Sequence, residues 1–248
     1  MVVRIGHWTF SPKLWSTIVT ILIIPVFISL GFWQLDRAGQ KRALHADYLE
    51  RQASEVINLN HEKTIRNNMD DMLWRKIKAE GAFDETVQIL LDNQVMNNQA
   101  GYFVYTPFQL INENIWFLVN RGWVATGNDR NLLPELRKTN VQVTITGSAN
   151  NVLSSGISLG NAIDEQLTPG IYRLRSINIA HISDLVGKKL MPYVLNLDSE
   201  SQHGYMRQWR MPGSGETVNL GYAFQWFAFA ATLLIIYVVV NTKTKDDN

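Results

Sequence analysis

Two short blocks in this sequence combine aromatic rings with side-chain amides, and one adds a guanidinium. They are Gly31-Phe32-Trp33-Gln34-Leu35-Asp36-Arg37 and Gly221-Tyr222-Ala223-Phe224-Gln225-Trp226. Aromatic rings offer flat apolar faces, amides both donate and accept hydrogen bonds, and a guanidinium matches a carboxylate bidentately. Trp33, Gln34, Arg37, Tyr222, Gln225 and Trp226 therefore suit contact with a flat macrocycle bearing carboxylates, or with a partner helix. The same residue types also serve as interfacial anchors. On that reading the glutamines cap or bridge helices, and Arg37 meets a lipid headgroup or a helix ion pair.

Other chemistry is thinly represented. With no cysteine in the chain, disulfides, thiolate metal sites and thiol catalysis are excluded. The histidines are His7 in the N-terminal tail, His45 on a helix, His61 in a polar loop, His181 on the polar side of a short helix and His203 in an irregular segment. No two of them have the helical spacing of a zinc site. His45, about ten residues beyond Leu35, would stand roughly 15 Å further along a continuing helix. Gly213-Ser214-Gly215 lacks a strand-turn-helix setting and reads as a flexible loop; no phosphate-cradling loop, His-Glu-x-x-His motif or nucleophile with its base is present. With no such motif or constellation, the sequence predicts a protein that is not an enzyme. A formal net charge of +1 gives no basic field, so nucleic acid is not an expected partner.

The elements that position the two blocks are apolar spans. The mean hydropathy of −0.08 hides a segregated pattern. Residues 14–35 carry no charge, and at 1.5 Å per residue they reach roughly 33 Å, enough to cross a hydrocarbon core. Pro25 lies mid-span and predicts a kink rather than a break. Residues 221–240 form a second uncharged run. Trp8, Trp15, Trp33, Tyr222, Trp226 and Tyr237 lie near the span ends, as interfacial anchors do. A cleaved signal peptide has a shorter core and a small-residue cleavage site, whereas here the run ends in Trp33-Gln34-Leu35-Asp36-Arg37. The other alternative is a buried core helix, which the length and lack of charge of residues 221–240 argue against.

The expected fold class is an α+β membrane protein in which two transmembrane helices flank a mainly antiparallel β extramembrane domain, a twisted sheet or small barrel. The expected organisation is a tail at 1–13, a span at 14–35, a β-rich domain at 36–220 led by an amphipathic helix, a span at 221–240 and a tail at 241–248. Both aromatic blocks then face the side where the domain emerges, and a site split between them lies at the membrane surface. Strand candidates are 73–79, 87–91, 102–105, 115–119, 141–146, 171–174 and 192–197, with a short helix at 179–189. Turn chemistry marks Glu80-Gly81, Asn97-Asn98, Asn112-Glu113-Asn114, Asn150-Asn151 and Thr168-Pro169-Gly170, while Asn58 to Asp71 is polar and loop-like. Arg121 and Trp123 flank Gly122 and read as a stacked or salt-bridged corner, or as a partner contact; Tyr102 and Pro107 read as strand and edge residues. For sidedness, the loop flanks carry Arg37, Lys41, Arg42, Arg51, Arg207 and Arg210, against Arg4, Lys13, Lys243 and Lys245 in the tails. The count favours a cytoplasmic loop, but long loops translocate largely regardless of charge.

Four blocks in order carry a resemblance: Leu30-Gly31-Phe32-Trp33-Gln34-Leu35-Asp36-Arg37 with Lys41 and Leu44, Gly101-Tyr102-Phe103-Val104-Tyr105-Thr106-Pro107-Phe108, Leu118-Val119-Asn120-Arg121-Gly122-Trp123-Val124, and Gly221-Tyr222-Ala223-Phe224-Gln225-Trp226-Phe227. Over nearly its full length the chain resembles the surfeit locus protein 1 family, the assembly factors of haem–copper cytochrome c oxidase. The resemblance implies a multi-pass protein of the bacterial inner membrane with its loop domain periplasmic. It implies help in delivering haem A to subunit I, with subunit I, the haem A synthase and the lipid bilayer as partners; Arg37 would then pair with a haem propionate. The family pattern places a histidine, the proposed haem ligand, three residues before the tyrosine of the second block. Here that position is Asn219, and an amide oxygen is a poor iron ligand beside imidazole. The alternative is a membrane scaffold that holds oxidase subunits or the haem synthase without binding haem.

Overall fold

The computed structural model describes residues 3–5, 8–61, 69–127, 132–139, 141–151 and 165–244; His7 lies outside them. The chain divides into two compact units, residues 1–48 with 210–248, and residues 49–209. In chain order the elements are β1 (Val3–Ile5), β2 (Trp8–Phe10), α1 (Leu14–Ala53), β3 (Ile57–Asn58), α2 (Met69–Met72), β4 (Lys76–Phe83), β5 (Gln88–Met96), β6 (Gln99–Leu110), β7 (Trp116–Ala125), β8 (Val143–Asn150), β9 (Glu165–Thr168), β10 (Ile171–Leu174), α3 (Ile179–Val186), β11 (Leu190–Leu197), α4 (Glu216–Val240) and β12 (Thr242–Thr244).

The first unit holds the apolar helices. Only 17% and 11% of the residues in their most apolar stretches are buried, so protein does not cover them as it would core helices. The apolar span and the amphipathic extension expected after it are one helix, α1, running through Pro25. Helix α4 begins at Glu216, ahead of the expected boundary at 221. Gly215 adopts φ 86° at its N-cap, and Glu216 supplies the acidic first-turn residue that suits a helix N-terminus. The tails, expected to be plain polar ends, carry short strands: β2 pairs antiparallel with both β1 and β12.

The second unit is a mostly antiparallel sheet that closes into a small barrel. The order β3-β4-β8-β11-β7-β6-β5-β10-β9 is joined by an extra β4–β6 pairing, so β4, β8, β11, β7 and β6 form a ring. Three pairs are parallel: β3–β4, β7–β11 and β5–β10. Alternation is clean on β4, where Ile77, Ala79, Gly81 and Phe83 point inward. Phe108 is the hub of this core, with ring centroids 4.9 Å from Phe83 and 5.3 Å from Phe117. On the opposite face Leu118 and Val194 pack with Ile182 of α3 in a second core. The side chain of Asn178 caps α3 at the His181 amide, and Gly187 ends it in the left-handed region, before the expected end at 189.

Turn chemistry held at Asn97-Asn98, whose φ values of 50° and 61° make a two-residue hairpin between Met96 and Gln99. It also held at Pro169-Gly170, where Gly170 has φ 84°. It failed at Glu80-Gly81, which lies inside β4. Gly81 is the seam of the barrel, paired with Leu110; a Cβ there would stand 1.9 Å from the Gln109 carbonyl oxygen and 2.7 Å from the Phe108 ring. The glycine marks close backbone approach, the other meaning of a strand glycine. Pro107 is not on an edge strand. It sits where β6 changes partner, between Tyr105, opposite Ile89 of β5, and Phe108, opposite Phe83 of β4. Part of the segment 58–71 lies outside the described residues, and its start and end form β3 and α2.

Arg121 is the corner expected of it, 1% exposed. Its Nη1 donates to Glu85 Oε1 at 2.9 Å and its Nε to the His203 carbonyl at 2.8 Å. The Phe83 ring centroid lies 4.5 Å from its guanidinium carbon. Gly122 takes φ 113° beside it. Trp123 Nε1 donates to the Gln94 carbonyl at 2.9 Å, while its backbone exchanges hydrogen bonds with Met206. Tyr102 is buried on β6.

Two stability predictions follow from this packing. Gly81→Ala should lower stability by at least the ~1–3 kcal/mol typical of overpacking, measured by denaturant unfolding of the full chain; a wild-type midpoint would refute the seam. Asp84 pairs with Lys188. Burial pushes its carboxyl up, but Lys188 and the Thr86 hydrogen bonds outweigh burial and hold it below its ordinary value. A carboxyl depressed in the folded state stabilises above its unfolded pKa of about 3.9 and ceases to as pH falls through the folded value. Asp84→Asn should therefore lower Tm near pH 6, and the gap to wild type should close as pH drops below about 4.

Candidate functional site

Helices α1 and α4 run antiparallel within the first unit, and polar clusters fix both ends of their contact. At one end Asn241 is buried. Its Oδ1 accepts from the Lys13 amide at 2.8 Å and from Ser16 Oγ at 3.1 Å. One turn along, Thr17 Oγ1 and the Tyr237 hydroxyl are 3.0 Å apart. The middle is apolar and aromatic. Phe27 lies 5.8 Å from Trp226 and 5.9 Å from Phe229, centroid to centroid. Gly31 opens space for Phe227, whose ring stands 2.6 Å from where a Cβ would be.

The other end gathers the sequence-predicted site residues Gln34 and Asn219. Asn219 Nδ2 donates to Gln34 Oε1 at 2.7 Å. Its Oδ1 accepts from Lys41 Nζ at 2.7 Å, and Lys41 also reaches the Gly215 carbonyl at 3.3 Å. One residue further, Arg42 Nε donates to Glu216 Oε1 at 2.8 Å. Gln34 is 9% exposed, so its amide is a buried polar group satisfied across the helix pair. The bridging role is thus the one that Gln34 fills.

The other predicted residues lie around this relay without joining it. Trp33 and Tyr222 are 52% and 50% exposed, so their rings face outward from the helix pair. Gln225 is also exposed, and Trp226 is half-buried against Phe27. Arg37 is exposed and held along its own helix, Nη1 to Gln40 Oε1 at 3.0 Å, with Gln40 bonded in turn to Asp36. His45 backs onto Gly213, where a Cβ would meet its backbone nitrogen at 2.7 Å. His203 uses its carbonyl on Arg121, His61 is exposed in a turn, and His181 is exposed on α3.

Sequence reasoning missed Lys41 as a site residue. Its signal was the spacing: Lys41 stands seven residues after Gln34, two helical turns along the same face. Missing too was Asn241, the C-cap of α4, whose side chain is buried against Lys13 and Ser16.

Asn219 accepts from Lys41 through its oxygen and donates to Gln34 through its nitrogen at once. The amide is therefore a bridge between the helices, tied to α1 through both its oxygen and its nitrogen. No group of three or more His, Cys, Asp or Glu side chains capable of holding a metal occurs among the described residues.

Comparison with known proteins matches residues 21–231 to the SURF1 family. A SURF1-like protein of Rickettsia conorii is 24% identical over 238 residues, covering 92% of each chain. One from Rickettsia prowazekii is 27% identical over 240 residues, 89% of this chain and 88% of the relative. Surfeit locus protein 1 of Homo sapiens is 28% identical over 134 residues, covering 48% of this chain and 43% of the human one.

Asn219→Ala should loosen the helix pair by about 1 kcal/mol, since interhelical hydrogen bonds in hydrocarbon average about 0.6 kcal/mol each. The cysteine-free chain allows a direct check of register. With Gln34→Cys and Asn219→Cys together, a short bifunctional thiol reagent should join the helices within one chain. Equal cross-linking of an offset pair, Gln34→Cys with Phe229→Cys, would contradict the register.

Proposed function

This chain belongs to the SURF1 family, and from that premise we propose that it is an assembly factor for haem–copper cytochrome c oxidase, acting on subunit I when haem A is installed. Helices α1 and α4 anchor it in the bacterial inner membrane, and residues 49–209 form its periplasmic domain. Family membership supports the oxidase role. The length and outward apolar surface of both helices support the anchor.

One observation carries the mechanism: both hydrogen-bonding groups of the Asn219 amide are engaged, by Lys41 and Gln34. The residues present do not fit axial ligation of haem iron at position 219, where an amide stands in place of an imidazole. The geometry favours the scaffold reading, in which the relay holds α1 and α4 in register. The exposed rings of Trp33 and Tyr222, with Arg37 and Gln225, then present a docking face to subunit I or to the haem synthase. The second reading is haem A delivery, in which Trp33, Tyr222 and Trp226 contact the macrocycle and Arg37 a propionate. Exposure of two of those rings favours it, because a flat ligand needs accessible faces.

Deleting the gene in a haem A-producing host should lower haem-loaded oxidase, read from reduced-minus-oxidised spectra; unchanged spectra and activity would refute the oxidase role. Restoring the gene as Asn219→His separates the two readings. The scaffold predicts wild-type oxidase and haem-free purified protein, whereas delivery predicts a change in retained haem A. Trp33→Ala with Tyr222→Ala should reduce oxidase at unchanged protein level under either reading.

A further inference from the structure

We propose that the β unit carries a binding site for a small phosphate-bearing anion, formed by Arg121, Arg137, Lys138, Thr139 and the 202–203 backbone turn. These residues, with Gln202 and His203, line a space of about 420 Å3. That volume lies within the roughly 300–1,000 Å3 range of small-molecule pockets.

The site is built before any ligand arrives. Arg121 is fully buried and fixed on three sides: by Glu85, by the His203 carbonyl and by Thr139 Oγ1, 3.3 Å from its Nη2. The Thr139 amide also donates to Glu85 Oε1 at 2.9 Å, so the same carboxylate holds both walls together. Glu85 is the carboxylate paired here, and Arg121 uses it. Arg137 and Lys138 stand exposed on the rim, and neither forms an ion pair among the described residues.

Arg207 adds a second sign of missing negative charge. Its Nη2 donates to the Ser199 and Ser201 carbonyls at 2.8 and 2.6 Å, yet its Nε and Nη1 are buried without an acceptor among the described residues. Nη1 fills the space a Cβ on Gly204, the residue after His203, would take. Burial lowers the Arg207 pKa; Asp198 opposes this, and the Arg121 charge adds to the lowering. Buried donors without partners are rare in folded proteins, so such a group asks for an explanation.

Guanidinium forks, an ammonium and a hydroxyl match the several oxygens of a phosphate better than the one edge of a carboxylate. Val141 gives the space one apolar wall, which leaves room for the carbon substituent of a phosphate ester. The ligand is thus free phosphate or a soluble phosphate ester.

The test is calorimetric titration of the full chain in mild detergent with sodium phosphate and with glycerol phosphate, at ionic strength held constant with sodium chloride. Saturable binding is expected, weakened roughly ten-fold or more in the Arg137→Ala, Lys138→Ala double variant, since each lost charge-assisted contact is worth about that factor. Both side chains are exposed, so the variant keeps the fold, which an unchanged Tm verifies. Arg173→Ala, which removes a positive charge outside the lining, should bind as wild type. Tighter binding of the ester identifies an organic phosphate as the ligand; equal binding identifies the free anion. Heat no greater than that of chloride alone, or binding undiminished in the double variant, would overturn the site.

Discussion

Closure of β4 onto β6 is the constraint on which the β unit depends. An open sheet of this length would leave long unpaired edges, which invite association with other chains. Closing it brings two backbones together at Gly81 and Gln109, nearer than any side chain permits. The closed ring then has an inside, and the inward residues of β4, β6 and β7 fill it around Phe108. It also has an outside, where α3 covers β7 and β11 through Ile182. Arg121 follows from the same closure. It lies where β7 meets the 203–206 segment, and its charge survives burial because Glu85, a carbonyl and two aromatic faces replace water.

The helical unit solves a different problem. In a bilayer, two apolar helices gain nothing from hydrophobic contact, so register there must come from polar groups and close packing. Both are present. Asparagines stand at the two ends of the contact, Asn219 toward Gln34 and Asn241 toward Lys13 and Ser16. Between them Gly31 admits the Phe227 ring. An amide at each end fixes the sliding of one helix on the other, as one satisfied polar pair fixes the register of a coiled coil.

Legibility in the sequence tracked the range of the interaction. Local signals were readable: the apolar runs, the strand periodicity, Asn97-Asn98 as a hairpin turn and Gly170 after Pro169. Signals whose partner lies far along the chain were not. Gly81 looked like a turn because its true partner, Leu110, belongs to another strand. Pro107 looked like an edge residue because nothing in its neighbourhood reveals that β6 changes partners there. Gln34 and Asn219 both drew attention, one for its aromatic neighbour and one for its place before Tyr222, yet nothing local says that they touch each other. Lys41 needed both helices in place to show what it holds.

The relay also shows why position 219 cannot easily serve two masters. An amide offers one acceptor oxygen and one donor nitrogen in fixed relation, and here Lys41 takes the first and Gln34 the second. Neutral imidazole has the same pair of capacities, one nitrogen accepting and one donating. A histidine at 219 could therefore bridge Lys41 and Gln34 as asparagine does. Iron, however, binds the accepting nitrogen, the one that Lys41 would use. Ligation and locking compete for a single lone pair, and a positively charged neighbour makes that nitrogen a poorer base for either. A chain that ligates metal at this position has to release the lysine. This chain keeps the lysine bound at both Asn219 and Gly215, with a second cross-helix pair, Arg42 with Glu216, reinforcing it. What these contacts make is a helix clamp, with the rings of Trp33 and Tyr222 left exposed beside it.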